Sequence, residues 1–190
     1  LYGGSNRRMT KEYIDSVLDH FEAGDILVLQ NEINCLDYVI DRAYEKQMTI
    51  ILNPSPYDSG LDSCDLTKVS VFLINEVEGR QISGYAEPQK ILDVMREKFP
   101  ASKIVLTLGG DGSVYADGEQ QIRQPIYKVK AVDTTAAGDT FTGFFVAGLV
   151  KGLPMKEVLD LCAKAAAIAV SRKGAVASIP TMDEVLHTEL

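Results

Sequence analysis

Short runs rich in Val, Ile and Leu recur along the chain with longer amphipathic stretches between them, and that alternation leaves few folds open. Ile26 to Gln30, Thr49 to Leu52, Val69 to Ile74 and Lys103 to Thr107 are each bounded by turn-forming or charged residues. A strand covered on both faces needs apolar side chains on both, so these runs read as buried parallel strands. Lys11 to Glu22, Leu36 to Lys46 and Ala86 to Phe99 carry polar residues on one side, as helices lying against a sheet do. Strand and helix in alternation imply right-handed crossovers.

The pattern changes after Gly112. Ser113 to Ala116, Asp117-Gly118 and Gln121 to Gln124 predict a hairpin whose Asp-Gly turn suits positive φ. The last third reads as helix from Thr140 to Val150 and from Met155 to Arg172, with Pro154 at the first helical position of the second and Gly174 as its stop. Val158, Leu161, Cys162, Ala165, Ile168 and Ala169 give that helix an apolar face. The expectation is an α/β fold, a mostly parallel sheet flanked by helices with an antiparallel hairpin at one edge, in a single domain over residues 1–190.

Composition narrows the function. The 190 residues include 19 Lys and Arg against 27 Asp and Glu, a net charge of −8. That disfavours nucleic-acid or anionic-membrane surfaces and favours small-molecule partners. Cys35, Cys64 and Cys162 are odd in number and far apart, fitting neither a disulfide framework nor a zinc site, so a cytoplasmic location is expected. Apolar stretches such as Phe141 to Val150 are too short and interrupted to span a bilayer. The chain opens Leu1-Tyr2-Gly3-Gly4 with no initiator Met and no leader pattern, which suggests a removed start or a piece of something longer.

Val132-Asp133-Thr134-Thr135-Ala136-Ala137-Gly138-Asp139-Thr140-Phe141 carries the most chemistry. Small residues precede an acid at a helix start, and Gly143 and Ala147, one and two turns on, are small too. Backbone N–H groups of Ala136, Ala137, Gly138 and Asp139 would meet an anion there, aided by the helix dipole. Phosphoryl transfer to an alcohol needs such donors and an acid residue to take the hydroxyl proton. On spacing alone, an ordinary Asp-initiated helix packed by Gly and Ala accounts for the same residues.

Asp133-Thr134-Thr135-Ala136-Ala137-Gly138-Asp139 closely resembles the signature of the ribokinase-like, or PfkB, sugar kinase family. Ala165 to Ala175 continues the likeness, nearest to its ribokinase branch. The likeness runs the length of the chain but covers only the later part of the family's sequence. It implies ATP-dependent phosphorylation of a sugar hydroxyl, with ribose ahead of fructose or a nucleoside. Asp139 would be the general base touching the sugar, and the Ala136, Ala137 and Gly138 turn the anion hole, with Gly138 also meeting the nucleotide. ATP, Mg²⁺ and a monovalent cation, K⁺, come with the resemblance.

Other segments take roles the same way. The resemblance puts Asn75 near the nucleotide phosphates and Glu78 near the metal, although Asn75-x-x-Glu78 is also a capping-box pattern. It gives Thr107, Gly109, Gly110, Asp111 and Gly112 to ATP binding, where a glycine-rich turn is an equal explanation. Ala163 stands where relatives often set a larger polar residue against adenine, implying looser packing. Glu32, just past the first strand, would hydrogen-bond a sugar hydroxyl; otherwise it is a solvated loop acid. Asp133, Thr135, Ala169, Arg172, Gly174 and Ser178 match a loop that holds the monovalent cation largely through backbone carbonyls. No G-x-x-x-x-G-K-[ST] occurs, which disfavours a Walker-type NTPase. His20 and His187 match no site.

The resemblance also implies that the family's N-terminal strands, lid and most sugar-binding residues precede Leu1. The segment alone is therefore expected to lack sugar phosphorylation, and a truncated, non-catalytic nucleotide-binding or scaffold domain is the competing reading. Missing strands would leave an open sheet edge, expected to self-associate or to hold a preceding fragment.

Overall fold

The structure, a computed structural model, describes residues 3–190; Leu1 and Tyr2, where the family likeness begins, lie outside them. Strands β1 (Ile26–Gln30), β2 (Thr49–Asn53), β3 (Val71–Asn75) and β4 (Lys103–Thr107) pair in parallel. With β5 (Ser113–Ala116) and β6 (Gln121–Gln124) the sheet order follows the sequence, β1-β2-β3-β4-β5-β6. The mixed α/β sheet expected from the sequence is therefore present. Ile50, Ile51, Leu52, Phe72, Ile104, Val105 and Leu106 are fully buried, which explains why β2, β3 and β4 read as continuous apolar runs. Val28 of the outermost strand β1 is 42% exposed.

Element ends move for local reasons. Val69 falls outside β3 because its N–H closes a turn onto the Leu66 carbonyl at 3.2 Å. Helix α1 (Lys11–Leu18), capped by the Thr10 hydroxyl, stops short of Glu22, whose N–H donates to the Asp25 carboxylate at 2.8 Å. Helix α2 (Leu36–Glu45) packs beside α1, and the Asp15 carboxylate joins them by accepting from Tyr38 Oη at 2.8 Å and Arg42 Nε at 2.9 Å. Helix α3 (Glu76–Ser83) follows β3 directly, and α4 (Pro88–Lys98) starts at Pro88, whose fixed φ and missing N–H suit a first turn.

Helix α5 (Ala137–Val150) begins three residues before the expected Thr140. Helix α6 (Met155–Val170) takes Pro154 as its N-cap rather than its first residue and ends at Val170, so Gly174 lies beyond the stop. Helix α7 (Met182–His187) closes the chain. The Asp-Gly turn of positive φ does not form. Four residues join β5 and β6, with Asp117 N–H on the Gln120 carbonyl and the Asp117 carboxylate accepting from the Glu119 and Gln120 N–H groups at 2.8 Å. Gly118 is absent from the positive-φ residues, because a loop of that length does not require one there.

Contacts divide the chain into two compact units, one reaching to Thr107 and including Ala116–Gln121, the other comprising Leu108–Tyr115 and Ile122–Leu190. In the second, α5 lies close on α6, since a Cβ at Gly148 would stand 2.9 Å from Val158 Cγ2. No helix of the described residues is long and apolar enough to cross a membrane.

Phe72, fully buried, packs its ring 4.8 Å from that of Phe99, centre to centre. Phe72→Ala is expected to cost about 3–5 kcal/mol, whereas Tyr13→Ala on the exposed side of α1 stays within about 0.5 kcal/mol. Urea midpoints of the two variants check the contrast.

Candidate functional site

The second unit holds most of the predicted site residues. Asp133 Oδ1 accepts from the Thr135 N–H at 3.0 Å and the Thr135 hydroxyl at 2.6 Å, and Oδ2 accepts from the Gly174 N–H at 3.0 Å. The Val132 and Asp133 N–H groups both donate to the Val170 carbonyl, at 2.7 and 3.2 Å. The turn before α5 is thus bonded to the end of α6 and to the strap behind it. Gly174 adopts φ +105°, a region that favours glycine. The Thr135 hydroxyl foremost, then the Thr135 and Gly174 N–H groups, hold the Asp133 carboxyl below the ordinary carboxylate range.

Asp133, Thr135 and Gly174 are therefore in direct contact. Ala169 is buried at the end of α6, Arg172 follows on the strap, and Ser178 is buried with its hydroxyl on the Ala175 carbonyl at 2.7 Å. Both Asp133 oxygens are already engaged, one by Thr135 and the other by Gly174.

At the start of α5, Ala136 is the N-cap and the Thr140 N–H opens the ladder on the Ala136 carbonyl at 2.9 Å. One expected anion donor is otherwise occupied. The Ala137 N–H closes the preceding turn on the Thr134 carbonyl at 3.2 Å. Gly138 and Asp139 follow at the exposed second and third helical positions, and beyond the helix's own backbone and the adjoining residues nothing crowds the place where a Gly138 Cβ would stand. Sequence reasoning passed over Thr140, whose hydroxyl is buried with no hydrogen-bond partner among the described residues. A Thr in an apolar helix carries no signal of that kind.

The glycines of residues 109–112 divide by role. Gly112, at φ +90°, passes so near the next strand that a Cβ would meet the Gln124 carbonyl oxygen at 2.1 Å. Packing requires that glycine. Gly109 and Gly110 instead border open space beside exposed Asp111. The Gly112 carbonyl accepts from the Leu108 N–H at 2.8 Å and closes the loop. Ala163 is half-buried on α6.

In the first unit, parallel pairing brings Asn75 level with Thr107 and Gln30 level with Asn53 at the carboxyl ends of the strands. The Asn75 pattern is a complete capping box. Asn75 Oδ1 accepts from the Val77 and Glu78 N–H groups at 2.8 and 3.0 Å, and Glu78 accepts from the Asn75 N–H and Nδ2 at 2.8 Å each. Glu78 is only 5% exposed, yet each carboxylate oxygen keeps a further acceptor site, so it fits a metal role while remaining part of the cap. The Thr107 hydroxyl reaches back to the Ile74 carbonyl at 3.4 Å.

Glu32 is exposed in a turn pinned at both sides. Asn31, buried and unforeseen in the sequence, donates from Nδ2 to the Pro56 carbonyl at 2.7 Å and to Asp58 Oδ1 at 3.0 Å. Asn34 exchanges hydrogen bonds with the Met9 N–H and carbonyl at 3.0 and 2.8 Å. The turn therefore presents the Glu32 carboxylate from a fixed base.

Parallel strands that alternate with helices and carry polar residues at their carboxyl ends define an α/β protein. The pfkB family carbohydrate kinase model matches residues 2–182, and the chain belongs to that family. A ribokinase of Staphylococcus aureus (strain COL) is 33% identical over 97% of this chain and 63% of its own length; one of Schizosaccharomyces pombe is 33% identical over 96% and 60%. The structure of Arabidopsis thaliana ribokinase complexed with ribose and ATP superposes with TM-score 0.81 at 28% identity, covering 97% of this chain and 62% of that one. Ribokinase from Thermotoga maritima gives 0.78 at 30% identity, covering 97% and 62%. The chain thus spans about three-fifths of the length of these relatives.

Because the Asp133 carboxyl is held low, its bonds contribute fully above the unfolded value near 3.9, and that contribution fades as pH falls through the lower folded value. The stability gap between the wild type and Asp133→Asn is expected to be wide at pH 6 and to narrow toward pH 2.5, measured by urea unfolding at each pH.

Proposed function

We propose that this chain is the nucleotide-binding and catalytic portion of an ATP-dependent sugar kinase, with ribose as substrate. The observation that carries the reading is the exposed first turn of α5, with Asp139 third in the helix, fixed by the Asp133 bonds to Thr135 and Gly174. In this reading the Asp139 carboxylate accepts the proton of the sugar hydroxyl as that oxygen bonds to the γ-phosphorus of ATP, and the bond from that phosphorus to the β–γ bridging oxygen breaks to release ADP. The amide at Gly138 and the positive end of α5 stabilise the negative charge on the transferring group. Gly109 and Gly110 leave room for the nucleotide, and Glu32 orients the sugar. Glu78 would hold Mg²⁺, which would supply charge neutralisation on the phosphates, and Asn75 would lie near those phosphates. The Asp133–Thr135 and Ala169–Ser178 segments would hold K⁺, which would supply positive charge beside the turn.

A second reading, a nucleotide-binding or scaffold segment without turnover, is favoured by the outer strand β1, where Val28 is exposed on a strand with one parallel neighbour. Such an edge suits pairing with a preceding segment or a second copy.

In the complete enzyme, Asp139→Asn is expected to leave ATP binding nearly intact and to lower turnover by at least about 10²-fold, the usual scale for a general base. Near-normal turnover would remove Asp139 from that role. For the 190-residue chain itself, calorimetric titration with an ATP analogue and Mg²⁺ is expected to show weak binding, while a coupled assay with ribose shows no turnover, because the chain spans about three-fifths of its relatives' length and the remainder would contribute walls that exclude water. Efficient turnover by the 190-residue chain would show that the remainder is dispensable.

A further inference from the structure

Thr181-Met182-Asp183-Glu184 has the spacing of a capping box, and half of one is built, with the Thr181 hydroxyl oxygen accepting from the Glu184 N–H at 3.2 Å. The Glu184 carboxylate turns elsewhere. It meets the Arg172 guanidinium through both oxygens, Nη1 to Oε2 at 3.2 Å and Nη2 to Oε1. Most exposed ion pairs contribute little, but a two-point Arg–carboxylate pair fixes direction as well as distance.

The position of Arg172 gives the pair its consequence. Two residues before it, the Val170 carbonyl takes the Val132 and Asp133 N–H groups; two residues after it, the Gly174 N–H donates to Asp133. Arg172 is the midpoint of a strap whose two ends are bonded to the turn leading into α5. We propose that Glu184 is a positioning residue for the first turn of α5, acting through Arg172 to hold residues 170–174 against Asp133. Glu184 touches no ligand in this arrangement. The proposal rests on reading that turn as the phosphate side of the kinase site.

Hydrogen exchange of the 190-residue chain tests it without turnover. Glu184→Gln keeps the side-chain size and the Thr181 cap, and is expected to quicken amide exchange across residues 132–139 and 171–178 by about fivefold. The dissociation constant for an ATP analogue with Mg²⁺ is expected to rise by a similar factor. Thr181→Ala breaks the cap but spares the ion pair, and is expected to loosen residues 182–187 alone. Unchanged exchange over residues 132–139 in Glu184→Gln overturns the proposal, as does an equal change there in Thr181→Ala. Failure of the unaltered chain to bind the analogue would defeat the kinase reading and leave the exchange comparison standing.

Discussion

Burial of β2, β3 and β4 on both faces is the constraint from which the first unit follows. Parallel strands cannot be joined by tight turns, so each pair needs a long crossover, α2 between β1 and β2, a segment of two short 3-10 turns between β2 and β3, and α3 with α4 between β3 and β4, and every strand then ends at the same border of the sheet. Glu32, Asn53, Asn75 and Thr107 reach that border because each ends, or follows by two residues, a strand of the parallel set. The apolar interior thereby assembles a row of polar groups without any of them having to attract the others.

Particular residues show what the sequence discloses. Apolar runs mark β2, β3 and β4 well, since double-sided burial leaves a continuous imprint on composition. The start of α5 is harder to read: Ala137, Gly138 and Asp139 are as suited to a loop as to a first turn, and the bonds from Asp133 that fix them come from Gly174, far along the chain. The occupation of the Ala137 N–H by Thr134 depends on a turn geometry that residue types do not encode. Thr181-x-x-Glu184 is the reverse case, where a familiar local spacing is present and the carboxylate goes to a non-local partner instead. Local sequence discloses local bonds, and the turn before α5 is joined to the end of α6 and the strap behind it by distant ones.

Asn75 and Glu78 are ordered by the capping box they form together. The cap orders both side chains before any ligand arrives, so the entropy cost of fixing a buried carboxylate is met by folding. Gly112 separates the two kinds of demand along one loop: its backbone is fitted to Gln124, while Gly109 and Gly110 remain open. Replacing each glycine in turn therefore addresses different properties of the molecule.

The bond from Gly174 to Asp133 spans 41 residues. Loop-closure entropy opposes so distant a contact until α5 and α6, which fill most of the interval, have folded against one another. The turn before α5 consequently belongs to the completed helical pair and has little independent existence in a partly folded chain. A chain that has collapsed but not yet docked α5 on α6 would expose the same sequence without its shape.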